Sequence, residues 1–181
     1  MRGYFGLGCE GISKEANLGN LVRSAHAFGA SFFFTVAPNV NMREVRISDT
    51  AASAGHMPFY NYESTGKLML PKGCQLVGVE FLPDAVDLPS FHHPMQAAYV
   101  LGPEMGSLSP EMQALCHHIV KIPMKFCINV GVAGALVMYD RLVSMGRHAP
   151  RAARPGGPTE ELEMQPFASH RRLTRKKTDK N

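Results

Sequence analysis

Long apolar runs and paired cysteines are both missing from this 181-residue chain. No run approaches the roughly 18–20 consecutive apolar residues that a membrane-spanning helix needs. Residues 1–6 also lack the apolar stretch of a signal peptide. None of the four cysteines stands in C-x-x-C or similar spacing to another, so the sequence indicates neither a zinc ribbon nor a disulfide framework. We therefore expect a reduced, cytoplasmic protein without membrane association.

Net positive charge is confined to one end of the chain. Residues 146–181 hold nine Lys or Arg against four Asp or Glu, whereas residues 1–145 hold ten against eleven. The same segment is interrupted by four prolines and shows no helical or strand period. We predict a folded domain over 1–145 and a basic, Pro/Arg-rich extension over 146–181. Such an extension suits contacts with nucleic-acid phosphates, the alternative being a solubilising segment.

Short apolar segments alternate with helical ones along the first 145 residues. Each is bounded by Gly or Pro, as buried parallel strands are. This alternation predicts an α/β fold with a mostly parallel sheet and helices on both faces. The predicted strands cover residues 4–8, 31–37, 75–81, 97–101 and 118–122.

Helix signals lie between these segments. Four apolar residues repeat at helical spacing before Gly29, which stands where a C-capping glycine would. Ser109 followed by Pro110 is typical of a helix start, and a last helix is predicted over 129–145. The four apolar residues are Leu18, Leu21, Val22 and Ala25.

Two local patterns suggest other chemistry. Residues 6–11 match G-x-G-x-x-G, but the helix is delayed past the third glycine and no acidic residue lies between Glu15 and Glu44, which disfavours a dinucleotide site. Cys116-His117-His118 could offer metal ligands, yet neighbouring residues of a strand point to opposite faces, so we expect no metal. His92-His93, before a proline, is interpreted as a loop feature.

Three further segments form a stronger combination. The first has Asn17 followed six residues later by Arg23. The second is a buried strand running into a glycine-flanked turn with one carboxylate, residues 99–106. The third is Ile122-Pro123-Met124 leading to Cys127-Ile128-Asn129-Val130. In this order and spacing, over about residues 3–145, they resemble the three motifs of the SpoU-type (TrmH-like) RNA ribose methyltransferases of the SPOUT superfamily.

The resemblance implies an α/β fold with a deep C-terminal trefoil knot, a feature that general folding rules would not suggest. It also implies S-adenosylmethionine as cofactor, RNA as substrate and a homodimer that completes each site. The predicted cofactor-binding residues are Leu101, Gly102, Gly106, Ile122, Cys127 and Ile128.

The resemblance further implies that Arg23 is catalytic, assisted by Asn17, Glu104 and Asn129. An arginine base has been proposed for the family. Lowering an arginine pKa from above about 12 to about 7 would require roughly 7 kcal/mol, and a neighbouring phosphate would oppose it. We therefore interpret Arg23 as a clamp on phosphate or hydroxyl oxygens, with the acceptor of the 2′-hydroxyl proton left open.

The sequence departs from the family pattern at two motifs. The second motif is one residue shorter than G-x-E-x-x-G, and Cys127 replaces the family's serine after a shorter loop. Two other functions stay open: a catalytically silent RNA-binding relative, because of Cys127, and an NAD-dependent oxidoreductase built on Gly6–Gly11. Between tRNA and rRNA, we expect tRNA, because no folded RNA-binding domain precedes residue 1.

Overall fold

Seven strands form one sheet in which every pair of neighbours is parallel. The computed structural model describes residues 3–40, 56–146, 148 and 155–157. The sheet order is β3-β2-β1-β6-β4-β7-β5, which confirms the predicted α/β architecture. The strands are β1 (Tyr4–Glu10), β2 (Phe32–Val36), β3 (Phe59–Tyr62), β4 (Gln75–Val79), β5 (Val86–Asp87), β6 (Gln96–Leu101) and β7 (His118–Lys121).

Within the described residues, three α-helices connect these strands or follow them: α1 (Glu15–Ala27), α2 (Pro110–Leu115) and α3 (Val130–Met145). Short 3-10 helices cover Thr65–Lys67 and Leu88–Ser90. Of the helices in the described residues, none has the length and apolar character to cross a bilayer.

Alternation of side chains along the strands creates a core on each face of the sheet. Phe33 and the apolar stripe of α1 belong to one core, together with residues of α3. Phe32 and Phe34, which point the other way, pack with Met112 of α2. Successive strand residues face opposite sides, so one run of three phenylalanines supplies both cores.

The helix boundaries follow the local signals. The four periodic residues of α1 are fully buried, and Gly29 has a φ of +77°, the left-handed conformation expected just after a helix. The Ser109 hydroxyl accepts a hydrogen bond from Met112 N at 3.1 Å. Asn129 proves to be the cap of α3 rather than its first residue, since its Oδ1 accepts from Gly131 N at 2.8 Å.

All five predicted strands are present, but the predictions ran past the carboxyl ends of three of them: β2, by Ala37, and also β4 and β7. β4 stops at Val79 and β7 at Lys121, so Glu80, Phe81 and Ile122 lie in loops. β3 and β5 were missed because they have four and two residues at the sheet edges, too few to show a period.

Contacts divide the chain into two units, Met1–Gly146 and Arg147–Asn181. The sheet and the three helices named above lie in the first unit. The dense basic cluster predicted to contact RNA, residues 171–180, falls outside the described residues.

Candidate active site

A cavity of about 360 Å³ opens at the carboxyl ends of β4, β6 and β7. Its walls are the loops that follow these strands, together with the first residues of α1 and α3. This volume is within the roughly 300–1,000 Å³ of small-molecule sites, and the carboxyl edge of a parallel sheet is where such sites form.

Nine of the ten residues predicted from the sequence line this cavity. They come from three segments at least sixteen residues apart in the sequence, which the parallel sheet brings to a common edge. The nine are Asn17, Leu101, Gly102, Glu104, Gly106, Ile122, Cys127, Ile128 and Asn129.

The Glu104 carboxylate fastens the loop after β6 to the start of α1. Oε2 accepts hydrogen bonds from Ser13 N at 3.0 Å and Ser13 Oγ at 2.9 Å. Oε1 accepts from Lys14 N at 3.1 Å and from Asn17 Nδ2 at 2.9 Å. A carboxylate has about four acceptor positions, so these four donors fill it.

Charge at Glu104 is stabilised by the same contacts. Burial by itself would raise the pKa of this carboxyl, but hydrogen bonds from Asn17, from the backbone and from Ser13 outweigh burial and hold the pKa below its usual value. Glu104 is therefore an anion whose acceptor positions are taken, which suits it to fixing the loop and not to accepting a proton.

Asn17 relays the network to α3. Its buried side chain donates to Glu104 and accepts from Asn129 Nδ2 at 2.9 Å. Asn129 uses its own oxygen to cap α3. The two asparagines therefore tie all three motif segments together at the cavity.

Arg23 does not line the cavity. It lies on an exposed position of α1, six residues after Asn17, which corresponds to about 9 Å along the helix and about 240° around it. The hydrogen bonds described above join Asn17, Glu104 and Asn129 to one another and to the starts of α1 and α3.

Glu80 adds a second carboxylate to the cavity wall, and Gly102 leaves space beside it. A Cβ on Gly102 would lie 3.3 Å from Glu80 Oε2 and 3.0 Å from Leu108 N. A side chain at position 102 would therefore crowd both the Glu80 carboxylate and the backbone before α2.

A family model described as the SpoU rRNA Methylase family matches residues 5–139. This match covers β1 to most of α3 and includes all three motifs. The chain belongs to the SpoU family.

Solved structures agree on the fold of this SpoU-family chain. The SpoU methyltransferase AviRb from Streptomyces viridochromogenes, in complex with AdoMet, is 22% identical, with a TM-score of 0.70 over 79% of this chain and 61% of that one. The TrmH/SpoU tRNA modifying enzyme of A. aeolicus is 18% identical, with a TM-score of 0.64 over 77% and 74%.

A third structure, concerned with 2-OH methylation of C/U34 on tRNA, is 19% identical, with a TM-score of 0.67 over 80% of this chain and 97% of that one. The chain spans about 60% of the length of the AviRb structure. No curated protein matches the sequence closely.

The glycine pattern of residues 6–11 has a packing role in this SpoU-family domain. Gly6 and Gly8 lie inside β1, where a Cβ would come within 2.3 Å of the Phe32 ring and 2.5 Å of the Phe34 ring. Only glycine lets these rings lie on the strand. Helix α1 begins four residues after Gly11, so the arrangement is not that of a dinucleotide fingerprint.

The histidines noted in the sequence make structural contacts. His118 Nε2 lies 2.8 Å from Gln75 Oε1, and His117 Nδ1 accepts from Leu76 N at 3.2 Å. His93 lies in a loop, as predicted, and is buried.

Sequence reasoning missed several parts of the site. Ser13 and Lys14 act partly through backbone N–H groups, which no side-chain motif reveals. Glu80 was included in a predicted strand, although a charged residue at the end of an apolar strand is a signal for a loop at the sheet edge.

Proposed function

We propose that this SpoU-family protein transfers a methyl group from S-adenosylmethionine to a ribose 2′-hydroxyl of RNA. The observation that carries the proposal is the single cavity formed by the three motif segments and fastened by Glu104. Neighbouring structures support it: AviRb is a methyltransferase in complex with AdoMet, and another concerns 2-OH methylation on tRNA.

The cavity fits the cofactor in size and chemistry. Leu101, Ile122, Ile128 and Val130 give apolar walls for an adenine ring, and the backbone beside Gly102 is accessible. The carboxylates of Glu80 and Glu104 favour a ligand with net positive charge. When bound, S-adenosylmethionine supplies an electrophilic methyl group on a sulfonium.

Positioning is the main task left to the protein. A methyl group on a sulfonium is already reactive, and correct placement of an attacking hydroxyl is worth roughly 7–11 kcal/mol in favourable cases. The network of Asn17, Glu104 and Asn129 gives the cavity a fixed shape, while Arg23 clamps the phosphate or hydroxyl oxygens of the target nucleotide.

We further propose that two copies associate through α3. Val132, Leu136, Tyr139 and Val143 form the α3 stripe, with exposed fractions of 51, 40, 53 and 38%. Their spacing of four, three and four residues places them on one helix face. Four large apolar side chains in one exposed row are typical of a surface that is covered by a partner.

This dimer gives Arg23 a place to act. The α3 stripe starts at Val132, beside Ala133 of the cavity wall, so a second copy on the stripe lies next to the cavity. Arg23 belongs to an exposed face of α1, and α1 packs along α3. We infer that the arginine of one subunit serves the cavity of the other.

The substrate proposed is tRNA, which the neighbour acting on tRNA supports, since nearly its whole chain is matched by this domain. The basic residues of 168–181 would add contacts to RNA phosphates without reading sequence. By resemblance to the family, we also propose a trefoil knot in the second half of the domain. The four cysteines, all free thiols, suit a cytoplasmic location.

The deciding experiment is methyl transfer from labelled S-adenosylmethionine to total tRNA and rRNA, followed by nucleoside analysis. We expect a 2′-O-methylated nucleoside in the tRNA fraction. Cofactor binding without transfer to either RNA would instead support a silent RNA-binding relative. A thermal shift with NAD and none with S-adenosylmethionine would support the oxidoreductase.

A further inference from the structure

The two carboxylates of the cavity differ in how many hydrogen bonds the fold already supplies. Glu104 accepts four. Glu80 accepts two: Phe81 N donates to Oε1 at 2.9 Å, and Leu108 N donates to Oε2 at 2.8 Å. Since a carboxylate has about four acceptor positions, each oxygen of Glu80 keeps one position for a ligand.

The remaining positions of Glu80 face a defined space. Glu80 lines the cavity at the carboxyl end of β4, next to the end of β6. On the β6 side the neighbour is Gly102, whose missing Cβ would have lain 3.3 Å from Oε2. The two backbone donors hold the carboxylate in place, so it need not be ordered when a ligand binds.

Two neighbouring acceptor oxygens suit a ligand that presents two neighbouring donors. The part of S-adenosylmethionine with this property is the vicinal diol of its ribose. An acidic side chain on a ribose hydroxyl also recurs in dinucleotide sites at the same edge of parallel sheets. Glu104 cannot do this, because its four positions are occupied by Ser13, Lys14 and Asn17.

We propose that the Glu80 carboxylate accepts hydrogen bonds from the 2′- and 3′-hydroxyls of the cofactor's ribose and so selects an intact ribonucleoside. The inference rests on the proposed function, because it assumes that the cavity binds S-adenosylmethionine. It assigns Glu80 a binding role in addition to its hold on the loop after β6.

The test is calorimetry with S-adenosylhomocysteine and its 2′-deoxy and 3′-deoxy analogues, which carry no sulfonium charge. In the wild type we expect each deoxy analogue to bind about tenfold or more weakly, since a hydrogen bond to a charged group is lost. In Glu80→Gln, parent and analogues should bind with similar, weakened affinity. Glu111→Gln, which removes an exposed carboxylate of α2, should retain the wild-type preference.

Equal binding of parent and deoxy analogues by the wild type would overturn the proposal whether or not the variant folds. A Glu80→Gln protein that binds all three ligands more weakly but keeps the deoxy penalty would also overturn it, since Glu80 would then act only on the loop. Failure of the wild type to bind S-adenosylhomocysteine at all would instead refute the cofactor on which the proposal rests.

Discussion

Hydrogen-bonded polar clusters lie at the two ends of the sheet. At the carboxyl ends of the strands, Asn129, Asn17 and Glu104 form a hydrogen-bonded chain on the wall of a cavity. At the amino ends, Arg141 of α3 donates to the backbone oxygens of Tyr4, Pro94 and Met95 and to the Tyr99 hydroxyl. The second cluster is closed inside the core.

The amino-end cluster is complete without a ligand. Arg141 donates to the Tyr99 oxygen at 3.1 Å, the hydroxyl can donate to His93 Nδ1 at 2.6 Å, and His93 Nε2 can donate to Asp140 at 2.9 Å. This order requires a neutral histidine. Burial lowers the pKa of His93 and outweighs the opposing effect of Asp140, which agrees with a neutral ring.

The comparison separates stability from binding. Helix α3 is fixed at its start by Asn129 in the cavity network and near its end by Arg141 in the core. Substitutions in the cavity network should change ligand affinity more than stability. Substitutions in the cluster around Arg141 should change stability more than ligand affinity.

Arg23→Ala should lower methyl transfer by about 10³-fold, the effect of losing a charge-stabilising contact to the reacting groups. Cofactor affinity should not change, because the proposed contacts of Arg23 are with the target nucleotide and not with the cofactor. Arg23→Lys should also fail, since lysine lacks the planar fork that holds two oxygens. Single-turnover rates and calorimetry measure the two effects, and near-normal turnover by the lysine variant would contradict the clamp.

Mixing variants tests whether Arg23 acts across the dimer. Arg23→Ala chains should regain activity when mixed with Gly102→Val chains, whose added side chain meets Leu108 N and the Glu80 carboxylate. Only a mixed dimer joins an intact cavity with an intact arginine. Absence of recovery, with mixed dimers verified by mass spectrometry, would place Arg23 in its own subunit's site.

Arg141→Met should reduce the free energy of unfolding by about 3 kcal/mol, because several buried acceptors lose their donor. The apolar stem is retained, so packing is largely kept. Urea titration gives the loss, and Lys72→Met, at an exposed lysine, should change stability by less than about 0.5 kcal/mol. At urea concentrations below the unfolding transition, the cofactor affinity of Arg141→Met should be close to that of the wild type. A large loss of affinity under these conditions would show that the two clusters are coupled.

Glu104→Gln should weaken cofactor binding by about tenfold at pH 7, since donors of the cavity network lose a charged acceptor. The folded-state pKa of Glu104 is depressed. The stabilisation that the ionised carboxylate gives to the cavity network is therefore present above the ordinary pKa of 4.5. It is lost as the pH falls through the lower, folded-state pKa. Wild-type affinity should therefore drop in that acid range, and the variant's should not. If both proteins lost cofactor affinity equally as the pH fell, the loss would be caused by the titration of another group.

Cys127→Ser should change activity by no more than about threefold, because serine restores the family residue at equal size. Cys127 is exposed at the cavity, and a ribose hydroxyl needs no cysteine nucleophile to take the methyl group. Complete loss of activity, or a trapped covalent RNA adduct, would indicate methylation of a pyrimidine carbon instead.

Local pattern was enough for most of the elements. The period of Leu18, Leu21, Val22 and Ala25 fixed the buried face of α1, and Ser109-Pro110 marked the start of α2. These features depend on residues within a few positions of one another, so they can be read in order along the chain. The three motifs likewise identified nine residues of the cavity wall.

What the sequence determined by itself was the α/β class, the family and the residues that meet at one sheet edge. Only the tertiary structure decided their partners. The Glu104 carboxylate accepts four hydrogen bonds, the Glu80 carboxylate accepts two, and Arg23 lies away from the cavity of its own chain. Helical and strand periods arise from short-range geometry, whereas a hydrogen bond between residues about ninety positions apart, such as that of Ser13 with Glu104, depends on how parallel strands align their ends.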